Sequence, residues 1–129
     1  MGGVPVRSLE GEARKRESAG QPSVVLQMDF ATAPPPYPAP GEERNALLHP
    51  LAHSIATETP GLVWKIWTED AAAGRAGGLY AFTTREHALA YERMHTARVT
   101  ARGATDIRAV IWDINAALSA ITHGVATNP

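Results

Sequence analysis

Two alternating runs separated by five residues constrain this chain more than any other feature. In Leu62–Glu69, the residues Leu62, Trp64, Ile66 and Thr68 fall on one side. Val63, Lys65, Trp67 and Glu69 fall on the other. Arg75–Thr83 follows, with Gly78, Tyr80 and Phe82 on one face. A period of two marks a strand. The intervening Asp70–Gly74 is long enough only for a turn, so the pair reads as an antiparallel hairpin. Both sides of the hairpin carry large apolar residues, so both need cover. Gly77-Gly78 inside the second run marks a bulge or a close approach by another group.

The flanking segments limit what can cover it. Val24–Phe30 reads as a first strand, with Val24, Leu26, Met28 and Phe30 facing one way. Glu42–Glu58 reads as a helix, with Ala46, Leu47, Leu51 and Ile55 at helical spacing and Glu42 and Glu43 at the positive end of its dipole. Pro50 removes one of its hydrogen bonds and predicts a kink. Thr83 or Thr84 caps a second helix that runs to about Ala101 and stops at Gly103. Asp106–Ile114 alternates as a fourth strand, and Asn115–Thr122 reads as a short helix capped by Asn115. The predicted order is strand, helix, strand, strand, helix, strand. That is an α+β, ferredoxin-like βαββαβ fold with a four-stranded antiparallel sheet and its helices on one face. The other sheet face is also apolar, which predicts a symmetric homodimer with two sheets packed face to face.

Composition narrows the class. A chain of 129 residues with 44% hydrophobic and 19% charged residues is sized for one domain with one modest core. A net charge of −1 argues against a partner tracked through its phosphates, so no nucleic acid is expected. No cysteine is present, which excludes disulfides, thiolate nucleophiles and thiolate metal sites. No apolar run reaches membrane-span length and no apolar leader is visible, so the expectation is a cytoplasmic protein without membrane contact. Residues 1–22 read as a flexible N-terminal tail, residues 23–123 as the domain and residues 124–129 as a C-terminal tail. The Pro34–Pro40 stretch reads as a stiff, extended surface connector.

Several strings are specific enough to carry a resemblance. Pro60-Gly61-Leu62-Val63-Trp64-Lys65-Ile66-Trp67-Thr68-Glu69 resembles the second strand of the YdhR-like monooxygenases, and Ala76-Gly77-Gly78-Leu79-Tyr80-Ala81-Phe82 resembles their third. Ala88-Leu89-Ala90-Tyr91 with Met94-His95-Thr96-Ala97-Arg98 is similar to the family's second helix. Asp113-Ile114-Asn115 with Leu118-Ser119 and Ile121 is similar to its C-terminal segment. Pro50-Leu51-Ala52 with Ser54-Ile55 and Val25-Leu26-Gln27 resemble its first helix and first strand, so the likeness spans about residues 23–123. The N-terminal tail and the lengthened Pro34–Pro40 loop depart from the family.

The resemblance implies a dimeric α+β barrel and a cofactor-independent monooxygenase. Its substrate would be a hydroxylated aromatic, quinol or polyketide-like small molecule that itself supplies the electrons for O2. No flavin or metal is then required. Such chemistry needs aromatic walls, a base and a cation. His95, Arg98 and Tyr80 are the candidate catalytic residues, with His95 as base and Arg98 as the cation. Trp64, Trp67 and Tyr91 are the candidate substrate-binding residues. Trp64 and Trp67 differ by an odd number, so at most one lines a given pocket. His49 and His53 are four apart on a helix, but Pro50 distorts that face and no third ligand is evident, so no metal site is expected. A haem-degrading reading is weak because Gln27 and Asp29 occupy the first strand. Alternatives with the same fold are a non-enzymatic small-molecule-binding module and a polyketide-type cyclase or isomerase.

Overall fold

The computed structural model describes residues 20–126. The reading of residues 1–22 as a tail falls mostly outside this range, as does the end of the 124–129 segment. The elements are β1 (Val24–Ala31), α1 (Glu42–Glu58), β2 (Leu62–Asp70), β3 (Arg75–Phe82), α2 (Arg85–Ala101), β4 (Thr105–Asp113) and α3 (Ala116–Ile121). The strands form one four-stranded sheet in the order β2-β3-β1-β4, with every neighbouring pair antiparallel. This is the βαββαβ arrangement expected from the alternation, and α1 spans the residues its periodicity predicts.

Register explains where the core lies. Leu26 pairs with Tyr80 and Ile111, and Val24 pairs with Phe82 and Asp113. Side chains directly opposite each other share a face. Val24, Leu26, Met28, Tyr80 and Phe82 therefore form one buried layer, onto which α2 lowers Ala88 and Tyr91. Each large side chain so buried contributes roughly 1.5–3 kcal/mol. The buried residues of α2 are Ala88, Tyr91, His95 and Val99, a single stripe at helical spacing.

Local chemistry sets the ends of α2. The Thr84 hydroxyl accepts from the His87 amide at 3.2 Å, and Glu86 lies in the first turn. At the other end Gly103 adopts φ 98°. Its amide donates to the Thr100 carbonyl at 3.0 Å, and the Ala104 amide donates to Val99 at 3.0 Å. That paired closure needs a left-handed residue, which glycine supplies without steric cost. Helix α1 differs: no side chain caps it, and only Arg44 and Ile55 are buried along it. Helix α2 packs closely on β1, β3 and β4, whereas α1 stands away from the sheet.

One feature of β2 corrects the simple alternation. Leu62 pairs with Phe82 but Trp64 pairs with Ala81, so the ladder absorbs an extra residue at Val63. Leu62 therefore lies on the helix-covered face and packs on the core. Beyond the bulge, Trp64, Ile66 and Thr68 take the open face while Lys65, Trp67 and Glu69 take the covered one. The open face also presents Val25, Gln27, Leu79, Val110 and Trp112, with the Trp112 indole donating to Gln27 Oε1 at 3.2 Å. At one end of it Asp29 accepts from Arg75 and Arg108. Burial opposes the Asp29 carboxylate, but the hydrogen bonds and charges of the two arginines outweigh it and hold its pKa below the ordinary value.

Gly77 is a point of close approach rather than a bulge. A Cβ on Gly77 would stand 2.0 Å from the Met28 carbonyl oxygen and 2.7 Å from Asp29 Cα, both backbone atoms of β1. Neither can move without opening the central strand pair. Gly77→Ala is expected to lower stability by about 3 kcal/mol or more, read as a shift in the urea unfolding midpoint. The same change at Gly74, where a Cβ meets nothing within 4 Å but φ is positive, should cost about 1 kcal/mol.

Candidate active site

Because α1 stands off the sheet, a cavity of about 290 Å³ opens beneath it. Its floor is the covered face of the β2–β3 hairpin, with Lys65, Trp67 and Tyr80. Helix α2 contributes His95 and Val99, and α1 closes the top with Leu48 and Leu51. Tyr37, from the proline loop, forms part of the rim. The loop is tied to α1, since the Arg44 guanidinium donates to the Pro38 carbonyl at 2.8 Å and lies 5.0 Å from the centroid of the Tyr37 ring.

Helix α2 places His95 in the cavity wall and two further polar side chains, Tyr91 and Arg98, behind it. The Arg98 guanidinium donates to His95 Nδ1 at 2.7 Å from Nη2 and 3.1 Å from Nε, and Nη2 donates to the Tyr91 hydroxyl at 3.1 Å. A guanidinium has no lone pair to offer, so Nδ1 is the acceptor and the neutral imidazole carries its hydrogen on Nε2. Burial, then the charges of Arg98, Lys65 and Arg102, push the His95 pKa down to about 3. His95 is therefore a neutral ring with an N–H to donate. It has no free lone pair with which to act as the base expected from its ordinary pKa. The Tyr91 ring stacks on it with centroids 5.0 Å apart.

Tyr80 completes the series. Its ring centroid lies 4.9 Å from that of Tyr91 and 6.1 Å from that of His95, and the residue is 0% exposed. Among the described residues its hydroxyl has no partner in hydrogen-bonding geometry, although the Tyr91 hydroxyl lies close enough to help raise its pKa. Burial pushes its pKa up, so the phenol stays protonated. A buried hydroxyl left unpaired in this way costs about 1–3 kcal/mol.

Lys65 is a cavity residue outside the set of sequence candidates. Its register partner is Tyr80, and its Nζ sits 3.3 Å from the Trp67 ring centroid and 4.8 Å from that of Tyr80. Among the described residues neither Lys65 nor Arg98 forms a salt bridge. Burial, followed by the charge of Arg98, lowers the Lys65 pKa to about 7. Its sequence signal is its place two residues before Trp67, on the same side of the strand.

The structure sorts the sequence candidates. Tyr80, His95 and Trp67 line the cavity, while Tyr91 and Arg98 stand behind it. Trp64 does not reach it, because the register beyond the Val63 bulge turns its ring to the open face. His49 lines the cavity edge and stacks edge-on with His53, centroids 4.6 Å apart. Among the described residues no group of three or more His, Cys, Asp or Glu gathers into a metal-binding set. No helix among them is long and apolar enough to cross a membrane.

Comparison with known families gives a match over residues 25–125 to the family described as "Putative mono-oxygenase ydhR". No curated protein matches the chain significantly.

The buried neutral state of His95 has a consequence for stability. An unfolded histidine protonates near pH 6.5, whereas folded His95 resists protonation down to about 3. Its contribution is therefore complete above about pH 6.5 and is lost progressively as pH falls toward 3. Urea midpoints measured from neutral to acid pH should fall, and His95→Gln, which keeps an acceptor for Arg98 but does not titrate, should flatten that fall.

Proposed function

The chain belongs to the ydhR mono-oxygenase family, and from that premise we propose that it oxidises a hydroxylated aromatic, quinol or polyketide-like small molecule with O2 in the cavity under α1. The observation that carries this reading is the set of donors around an aromatic-walled space. The unpaired Tyr80 hydroxyl and the His95 Nε2–H are donors in search of an oxygen atom, and Trp67 and Tyr80 supply the ring faces. A substrate hydroxyl loses its proton and leaves its electron pair on oxygen. Tyr80 and His95 hydrogen-bond the anion, and the charge of Arg98, relayed through His95, favours it. The substrate then reduces O2. One oxygen atom stays in the product, the other leaves as water, and every electron comes from the substrate. The apolar roof of Leu48 and Leu51 keeps bulk water from quenching the anion.

An oxygen electrode with a panel of hydroquinones and hydroxyanthrones tests this directly. Uptake matched by oxidised product is expected, and Trp67→Ala should raise KM about tenfold through lost stacking. Thermal stabilisation by these compounds without oxygen uptake would instead identify a binding module, and anaerobic turnover would identify a cyclase or isomerase.

A second copy of the chain is the proposed cover for the open sheet face, giving a homodimer. Ile66 is 53% exposed, Val110 45% and Trp112 58%, and they adjoin half-buried Trp64, Val25 and Leu79. A contiguous apolar patch of this kind is typical of an interface. Sedimentation should give a two-chain particle, and Trp112→Glu should reduce it to one chain.

A further inference from the structure

We propose that Lys65, as the free amine, accepts the proton of the bound substrate's hydroxyl and then, as the ammonium, holds the resulting anion beside the Trp67 and Tyr80 rings. The O–H bond breaks, an N–H bond forms, and the electron pair remains on the substrate oxygen. This inference rests on the function proposed above and names the base that function requires.

Elimination among the cavity's own groups supports it. On α2, His95 has its Nδ1 lone pair occupied by Arg98, and Arg98 and, just past the helix end, Arg102 carry guanidinium groups, which do not act as bases. On β3, Tyr80 is a donor that burial keeps protonated. On α1, Arg44 is a cation held by Pro38, and His49 sits at the edge with its ring against His53. On Lys65's own strand, Glu69 also lines the cavity, but at its exposed end, four residues away. Among the described residues, Lys65 alone projects from the middle of the floor between two aromatic faces, and no carboxylate among them pairs with it.

Composition points the same way. The chain has ten arginines and two lysines, Lys15 and Lys65. A chain that uses arginine nearly everywhere places a lysine at the cavity floor, and only the lysine can give up its proton near neutrality. Burial and Arg98 favour the amine, while the Trp67 and Tyr80 faces favour the ammonium. Both forms are then populated near pH 7, as a proton acceptor requires.

The test uses the full chain with 13C-labelled lysine. Two side-chain signals are expected, and the one absent from Lys65→Arg should titrate near pH 7. 4-Nitrophenol serves as the binding probe, at a pH where the free probe is neutral. Wild type should bind it as the coloured phenolate, and Lys65→Met should bind it as the colourless phenol. With an oxidised substrate, Lys65→Arg should lose on the order of 100-fold or more in kcat with little change in KM, and its pH profile should lose the rise near 7. A Lys65 signal that titrates only near the ordinary lysine value overturns the proposal. So does a Lys65→Arg enzyme with unchanged kcat and pH profile, and in that case the oxygenase reading stands. Phenolate formation without oxygen uptake by any substrate gives the opposite result: Lys65 is the proton acceptor and the oxygenase reading fails. Should the variants not fold, the wild-type titration and probe colour decide alone.

Discussion

The stem of Lys65 crosses the space that a side chain at residue 78 would fill. A Cβ on Gly78 would stand 2.9 Å from Lys65 Cε and 2.9 Å from the Tyr80 ring. That gap lets the lysine lean along β2 onto Trp67 while Tyr80 lies flat in the core. Tyr80 in turn fixes Tyr91, Tyr91 stacks on His95, and His95 takes its tautomer from Arg98. The floor of the cavity and the buried layer of the fold are thus the same residues. Packing on α2 positions the polar groups, and no separate scaffold is needed.

The electrostatics follow from where the aspartates sit. Asp29, Asp106 and Asp113 pair with arginines on the open face or at strand ends. Among the described residues, Lys65 and Arg98 on the covered side of the sheet have no such partners. Burying unpaired positive charge is costly, and the molecule moderates that cost in two ways. Arg98 shares its charge with His95 and Tyr91 through hydrogen bonds, and Lys65 rests on aromatic faces with the option of losing its proton. An anionic aromatic guest would relieve both.

Much of this is readable in the sequence. Alternation in Val24–Phe30 and in the hairpin places the strands, and Thr84, Asn115 and Gly103 mark helix ends through local hydrogen bonding. The opposed faces of Trp64 and Trp67 follow from parity alone. Other features are hidden because they depend on tertiary contact. The extra residue at Val63 changes no local propensity, so parity puts Leu62 on the wrong face. His95 looks like a base because its ordinary pKa suits one, and only the Arg98 contact three residues on reveals that its lone pair is taken. Lys65 looks like a solvated lysine between tryptophans. Its burial depends on α1 arching over it, and the sequence of α1 does not show where that helix stands.

The bulge at Val63 reaches further than a local irregularity. Were β2 to pair without it, Trp64 would meet Tyr80 and Lys65 would meet Leu79. A one-residue slip exchanges the two faces of a strand completely. The ring now on the open face would drop into the cavity, and the amine and the Trp67 ring would move to solvent. One inserted residue therefore sets both what the pocket contains and what the exterior offers, so that in descent or in design these two properties are inherited together through a single peptide unit.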